Sequence, residues 1–433
     1  GGGWNKLANR PGVIPGTMYL PSEIQKVSQT NKDAYVMLSF GKDQPIFGNV
    51  RLSGNIGLRY VNTKVQSAGA IFINRSSLGV DQDFAQRCPT NPTPPVGLPP
   101  GVTVGRPGGI CLIGAAAYAQ LQQFASGTAT PNVANTNNDQ FLPSLNLKFG
   151  LTRDLVMRFA ASKVMTLPDL ASIRNSFSAT FNNADNTVTF NLGNPYLKPA
   201  TAKQFDATLE WYFAKVGSLT VDAFYKEIDH FFFANQVTRS FTQNGITEPI
   251  TVRVPSNYDG TGKIKGFEVA YQQSLDFLPW IFSGLGVNAS YTYLNSKGLP
   301  NSFLNTGSPS NLARTGVGNL PLEQLSKHTV NLQAFYEKGP VSLRVAYNWR
   351  SRFLLTAADV IFPYYPIFNE ASGNLDASAF FNVTKQLKFG VQAVNLLNTI
   401  TKTTQQFTAD GLSGPRSYYM NDRRFSFILR GNF

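Results

Sequence analysis

Residues 424–433, Arg-Phe-Ser-Phe-Ile-Leu-Arg-Gly-Asn-Phe, decide how this chain is read. In an extended strand successive side chains point to opposite faces. Phe425, Phe427, Leu429, Gly431 and Phe433 therefore share one face, and Arg424, Ser426, Ile428, Arg430 and Asn432 share the other. An edge strand of a soluble sheet rarely ends on an exposed phenylalanine. A membrane strand is built this way, with apolar residues toward lipid and polar ones toward a lumen. Phe425, Phe427, Leu429 and Phe433 also form the kind of aromatic C-terminal address that outer-membrane barrel-assembly machinery reads.

The same pattern recurs upstream. Val50, Leu52, Ile56, Leu58 and Tyr60 are set against Arg51, Ser53, Asn55 and Arg59. Leu145, Leu147, Phe149 and Leu151 alternate with Ser144, Asn146 and Lys148. Phe205 to Phe213 and Val341 to Trp349 repeat it. Runs of this length suit the roughly 9–11 residues with which a tilted strand crosses a bilayer. No run reaches the 18 or so apolar residues of a membrane helix. A closed barrel is the other way to satisfy backbone polar groups in lipid. The 33 Phe and 17 Tyr residues would supply aromatic girdles.

Thirteen strands are expected, at 33–42, 49–66, 140–151, 154–166, 201–214, 217–232, 263–275, 283–296, 325–338, 340–353, 375–384, 386–397 and 418–433. Their connections alternate strictly between short and long, as periplasmic turns alternate with external loops. The expected organisation is an external segment at 1–32, then barrel at 33–433 with long external loops at 67–139 and 167–200. With Phe433 in the periplasm, thirteen strands place the N-terminus outside. Single-chain bacterial barrels have an even strand number. The expectation is therefore the C-terminal part of a longer barrel. The start, GGGWNKLANRPG, lacks the charged, apolar and cleavage regions of a signal peptide, so maturation or a missing N-terminal part is expected.

A net charge of +13 has two readings. It attracts anionic ligands or lipopolysaccharide phosphates. Alternatively, lumenal Arg and Lys face acidic groups absent from this chain. The chain's two cysteines, Cys88 and Cys111, lie in one polar loop. An oxidising envelope favours a bridge between them. The loop it closes corresponds to about 3 kcal/mol of stabilisation.

No catalytic constellation is present, so the chain is not read as an enzyme. His230 and His328 are its only histidines, and neither has a second ligand at metal spacing. No metal or cofactor is expected, nor a nucleic-acid partner. In an external loop, Phe362, Tyr364, Tyr365 and Phe368 offer flat faces for sugars or catecholate rings. They are the candidate ligand contacts. Packing within the loop is the alternative use of the same rings.

In order, "GNVRLSGNIGLRYVNT", "FLPSLNLKFGLTRDLVMRFAASKVMTLPDL", "GNPYLKPATAKQFDATLEWYF", "LTVDAFYKEIDHFF", "IKGFEVAYQQ", "FGVQAVNLLNT" and "DRRFSFILRGNF" resemble the barrel of TonB-dependent outer-membrane receptors, in the branch of Caulobacter- and Xanthomonas-like bacteria. Leu167–Pro168 replaces the family's frequent Arg-Pro, and Ala200 stands where an acidic residue is common. The family's barrel has about 22 strands around a plug, so this chain looks like the last thirteen, without plug or early strands. The resemblance implies a Gram-negative outer-membrane location, contact with lipid and lipopolysaccharide, and energised uptake of an oligosaccharide or iron-siderophore. The TonB complex would act through the missing plug. A self-contained passive porin or adhesin-like barrel is the competing expectation.

Overall fold

The computed structural model describes residues 6–9, 13–20, 23–41, 44–46, 48, 50–89, 108–125, 130–182, 187–298, 320–357, 359, 365–408 and 410–432. In chain order its strands are β1 (Lys26–Gly41), β2 (Arg51–Ile71), β3 (Thr130–Gly150), β4 (Leu155–Thr166), β5 (Phe177–Asn182), β6 (Thr187–Leu192) and β7 (Ala200–Ala214). Then come β8 (Gly217–Asp229), β9 (Phe232–Gln243), β10 (Ile246–Asn257), β11 (Gly262–Ser274), β12 (Leu285–Lys297), β13 (His328–Lys338) and β14 (Val341–Arg350). The last seven are β15 (Phe353–Thr356), β16 (Ile367–Asn369), β17 (Ser372–Asn382), β18 (Leu387–Val394), β19 (Ile400–Gln406), β20 (Ser413–Met420) and β21 (Arg424–Gly431).

Thirteen of them form one antiparallel wall, β1-β2-β3-β4-β7-β8-β11-β12-β13-β14-β17-β18-β21. Each overlaps one strand expected from the alternation. Among the described residues no ladder joins β21 to β1.

Register explains why these sequences make a membrane wall. Leu52, Phe149, Met157, Leu209, Val221, Val269, Tyr291, Val330 and Trp349 stand opposite one another from β2 to β14. One residue along, Ser53, Lys148, Arg158, Thr208, Asp222, Glu268, Thr292, Thr329 and Arg350 form the neighbouring row. A one-residue slip of any strand would put charge into the apolar row, so the pattern pins the register. The apolar row faces lipid. The polar row lines the inside, where Arg158 Nε donates to Glu210 Oε1 at 2.7 Å and Thr208 Oγ1 to Asp222 Oδ1 at 2.6 Å.

The lipid band has a visible outer limit. On β2 the outward residues are apolar from Leu52 to Tyr60, then become Asn62, Lys64 and Gln66. At the change, the Tyr60 and Phe141 rings lie 5.2 Å apart, and Tyr60 Oη donates to Asp139 Oδ1 at 2.6 Å. The run from Leu52 to Tyr60 is close to the roughly 9–11 residues with which a tilted strand crosses a bilayer.

Short connections share one end of the wall. Two close identically: Thr152 Oγ1 accepts from the Leu155 amide at 3.0 Å, and Thr384 Oγ1 from the Leu387 amide at 3.0 Å. Gly339 adopts φ 58°, the left-handed region that lets β13 turn directly into Pro340 and β14.

At the other end the structure departs from the expected loops. β1 begins at Lys26 rather than Asp33, while β2 runs on to Ile71 and pairs with β3 from Thr130. The stretches expected as external segment 1–32 and loop 67–139 thus carry wall. Pairing continues past the lipid because the inner face is covered: Val65 packs with Ile173 and Leu197 of the β4–β5 connection, and Val27 and Phe232 flank them. A Cβ at Gly69 would collide with the Asn175 carbonyl, so the close crossing needs glycine there.

Two further sheets stand at this end, β5-β6-β10-β9 and β15-β16-β19-β20. The first has its own core. Phe177, Leu192, Ile250, Val252 and Val254 bury one face against Leu78, Val80, Tyr118 and Phe124. These last residues belong to the β2–β3 connection and its helices α1 (Arg75–Leu78), α2 (Phe84–Arg87) and α3 (Ala115–Phe124). Asn74 caps α1 by accepting from the Ser77 amide at 2.7 Å, and Tyr118 Oη donates to the Gln82 carbonyl at 2.9 Å. Cys88 and Cys111 are bonded, Cα atoms 5.4 Å apart, and both are buried. No described helix is long and apolar enough to cross a membrane.

Candidate ligand-binding mouth

Because Phe177, Leu192 and Val254 face the loop core, the alternate residues of the same strands face away from it. Ser178 on β5 pairs with Asn191 on β6, which pairs with Arg253 on β10. This polar row forms one side of a cleft of about 530 Å³. Asp169, Ser172 and Arg174 of the β4–β5 connection form another side, and Phe232 and Phe233 close it. Ile173, beside Arg174, is fully buried against the inner face of the wall extension, which places this connection inside the rim.

The cleft combines two guanidinium groups, hydroxyls, an amide and aromatic rings. Burial pushes the Arg253 guanidinium below its ordinary pKa. Asp169 is already engaged: Ser172 Oγ donates to it at 2.7 Å and the Ser172 amide at 2.8 Å. These bonds, the hydroxyl first, hold its carboxyl below the usual range. The site therefore suits an anion with planar or apolar parts.

The inner face of the wall continues this polar character. Ser218, Thr220, Gln272, Asn288, Ser290 and Asn331 line a concavity of about 400 Å³ there. Lys388 and Arg430 stand directly opposite each other on the inward face, and the Lys388 ammonium lies 4.9 Å from the Phe380 ring centroid.

Of the aromatic cluster singled out in the sequence, Phe362 and Tyr364 lie outside the described residues. Tyr365 is half-buried, its carbonyl accepting from the Asp359 amide at 3.1 Å. On β16, Phe368 has the Arg352 guanidinium 4.1 Å from its ring centroid, and Arg352 pairs with Glu370 at 3.1 Å. These residues belong to the second loop sheet, apart from the Arg174–Arg253 cleft. Beneath them Arg416 donates to the 6%-exposed Asp359 carboxylate at 2.7 Å, joined by Gln405 at 3.1 Å.

Phe425, Phe427 and Leu429 are exposed on the outward face of β21, while Phe433 lies outside the described residues. His328 Nδ1 meets Tyr291 Oη at 2.8 Å, and the His230 carbonyl accepts from Asn257 at 2.9 Å. Among the described residues no group of His, Cys, Asp and Glu could hold a metal.

Arg174, Ser178 and Asn191 escape the sequence reading because Arg253, which completes their row, comes from a different connection of the wall. A local signal existed in the alternation of Ile250, Val252 and Val254 with Thr251 and Arg253, inside a segment read as loop.

The sequence model of the "TonB dependent receptor-like, beta-barrel" family matches residues 1–396. The chain belongs to this family. No curated protein matches it in sequence. Among solved structures it resembles a ferric enterobactin receptor mutant from Pseudomonas aeruginosa in complex with enterobactin (TM-score 0.51, 13% identity, 94% of this chain and 54% of that one). It also resembles the ferric-catecholate import receptor Fiu from K12 E. coli (0.50, 16%, 93% and 44%) and the copper transporter OprC (0.51, 14%, 94% and 48%). At these identities the likeness is one of fold. The chain spans about half the length of the solved receptors it matches. The family is one of receptors and transporters rather than enzymes.

Proposed function

We propose that this chain is wall and outer mouth of an outer-membrane receptor that imports a bulky, anionic iron-siderophore with energy from the TonB complex. The observation that carries this reading is the Arg174–Arg253 cleft, set inside the rim above an inward face that is polar from β2 to β14. A ferric catecholate is a large anion with aromatic edges, and guanidinium groups, hydroxyls and phenylalanine rings match both features. The net charge of +13 favours capture of such a ligand at low ionic strength. The loop with Phe362, Tyr364, Tyr365 and Phe368 is proposed as a second contact at the mouth. The TonB complex is proposed as a partner of the whole receptor, not of any described residue.

The test is radio-iron uptake from a ferric catecholate by cells expressing the full receptor, with and without the inner-membrane energiser. Energiser-dependent uptake that falls at least tenfold in Arg174→Ala/Arg253→Ala, at unchanged receptor abundance, is the expected result, with each lost charge-assisted contact worth about 1.5–3 kcal/mol. Uptake without the energiser would make the protein a passive pore. Energiser-dependent uptake of oligosaccharide alone would move the substrate class.

A further inference from the structure

The turn between β11 and β12 differs from the other short-side connections. It reads Leu275-Asp276-Phe277-Leu278-Pro279-Trp280-Ile281-Phe282-Ser283-Gly284. Phe277 is 67% exposed, Trp280 82%, Ile281 47% and Phe282 52%. Such a run of large apolar side chains in a connection that could have been two residues long calls for a covering environment.

The surrounding wall shows which one. On β13 the residues Leu332, Ala334, Tyr336 and Lys338 share the outward face, in register with Leu343 and Val345 of β14. Lys338 therefore starts on the lipid side. Its ammonium donates to the Trp280 carbonyl and, at 2.7 Å, to Ser283 Oγ. A Cβ on Gly284 would strike Lys338 Cβ at 2.7 Å and the Tyr336 ring at 3.1 Å. The turn is thus folded against the lipid side of the wall, not beneath the lumen. Trp280 holds φ 55°, uncommon for a bulky residue and kept here by the contacts around it. Ser283 Oγ also donates to the Trp280 carbonyl at 2.9 Å, so the indole is presented by a clamped backbone. The apolar surface continues sideways into the outward rings of Trp211, Phe213 and Tyr271, whose successive centroids are 5.1 and 6.0 Å apart.

We propose that residues 276–284 form an interfacial anchor, with Phe277, Trp280, Ile281 and Phe282 inserted among the phospholipids of the leaflet on the short-turn side. Aromatic side chains favour this depth because an apolar body meets acyl chains while a polar tip meets headgroups. Lys338 leaves its ammonium at the same level, near lipid phosphate. The anchor fixes the depth and tilt of β11 and β12 in the membrane and does not depend on which ligand the mouth takes.

Spin labels report depth through collisions with apolar oxygen and with a water-soluble nickel chelate. Full receptor carrying Trp280→Cys, labelled and reconstituted into phosphatidylethanolamine–phosphatidylglycerol vesicles, is compared with Lys385→Cys in the tight β17–β18 turn. The expected result is an oxygen-to-nickel collision ratio several-fold higher at position 280. Phe277→Cys repeats the measurement without altering the left-handed residue and should agree. A ratio equal to that of Lys385→Cys at both positions would place the turn in water and overturn the proposal. Labels shielded from both reagents would overturn it in favour of a protein partner.

Discussion

Val345 and Ala346 are consecutive on β14, near the middle of the apolar band, and should respond oppositely to the same substitution. Val345 lies in the row Ala334–Val345–Ala377–Ala393–Phe425, which faces lipid. Ala346 stands between Gln333 and Asp376 on the inward face. Arginine at a lipid-facing midplane position costs about 2–4 kcal/mol. An inward arginine keeps water and gains Asp376 as a neighbour, so its cost is about zero. Val345→Arg should therefore lose about 2–4 kcal/mol relative to Ala346→Arg, a factor of roughly 30 to 900 in the folding equilibrium. Guanidinium unfolding of the full receptor in vesicles, with electrophoretic mobility of unheated protein as the folded marker, measures the difference. Equal losses in the two variants, or a larger loss for Ala346→Arg, would refute the assignment of faces.

Arg416→Ala leaves the buried Asp359 carboxylate without its guanidinium, with Gln405 still donating to it, and should destabilise the second loop sheet by up to about 3 kcal/mol, read by protease cleavage within 365–408, whereas Asp359→Leu with Arg416→Met should lie closer to wild type. Burial raises the Glu323 carboxyl, although the Ala357 amide bond opposes the shift. With its folded pKa above the unfolded value, Glu323 favours the fold below about pH 4.3 and loses that contribution as pH rises through the folded pKa. Glu323→Gln should consequently slow hydrogen exchange at the Ala357 amide near neutral pH and match wild type in acid. Replacing Cys88 and Cys111 together by Ser should loosen the helical connection by about 3 kcal/mol, seen as proteolysis between Ile71 and Thr130 with the wall intact. Phe433→Asp should lower the receptor recovered in the outer membrane while refolding of purified protein is unchanged; normal recovery would leave the residue a girdle aromatic.

The wall was legible because a membrane strand answers to two solvents at once. Period-two alternation in segments such as Phe205–Phe213 and Val341–Trp349 states both which residues pair with lipid and where each strand lies, with no knowledge of neighbours. The alternation of short and long connections, the Cys88–Cys111 bridge and the family could be read for the same local reason. What the sequence alone left undecided is the outer end. Strand pairing past Tyr60, the two loop sheets and the Arg174–Arg253 cleft depend on contacts between segments far apart in the chain. Ile173 must cover Val65, and Val252 must meet Phe124, before Arg253 has a side to face. Such burial leaves only short and broken periodicity in each segment, since the solvent on one side of these strands is another loop. Only the folded chain brings those loops together, and that packing rather than any motif forms the Arg174–Arg253 cleft.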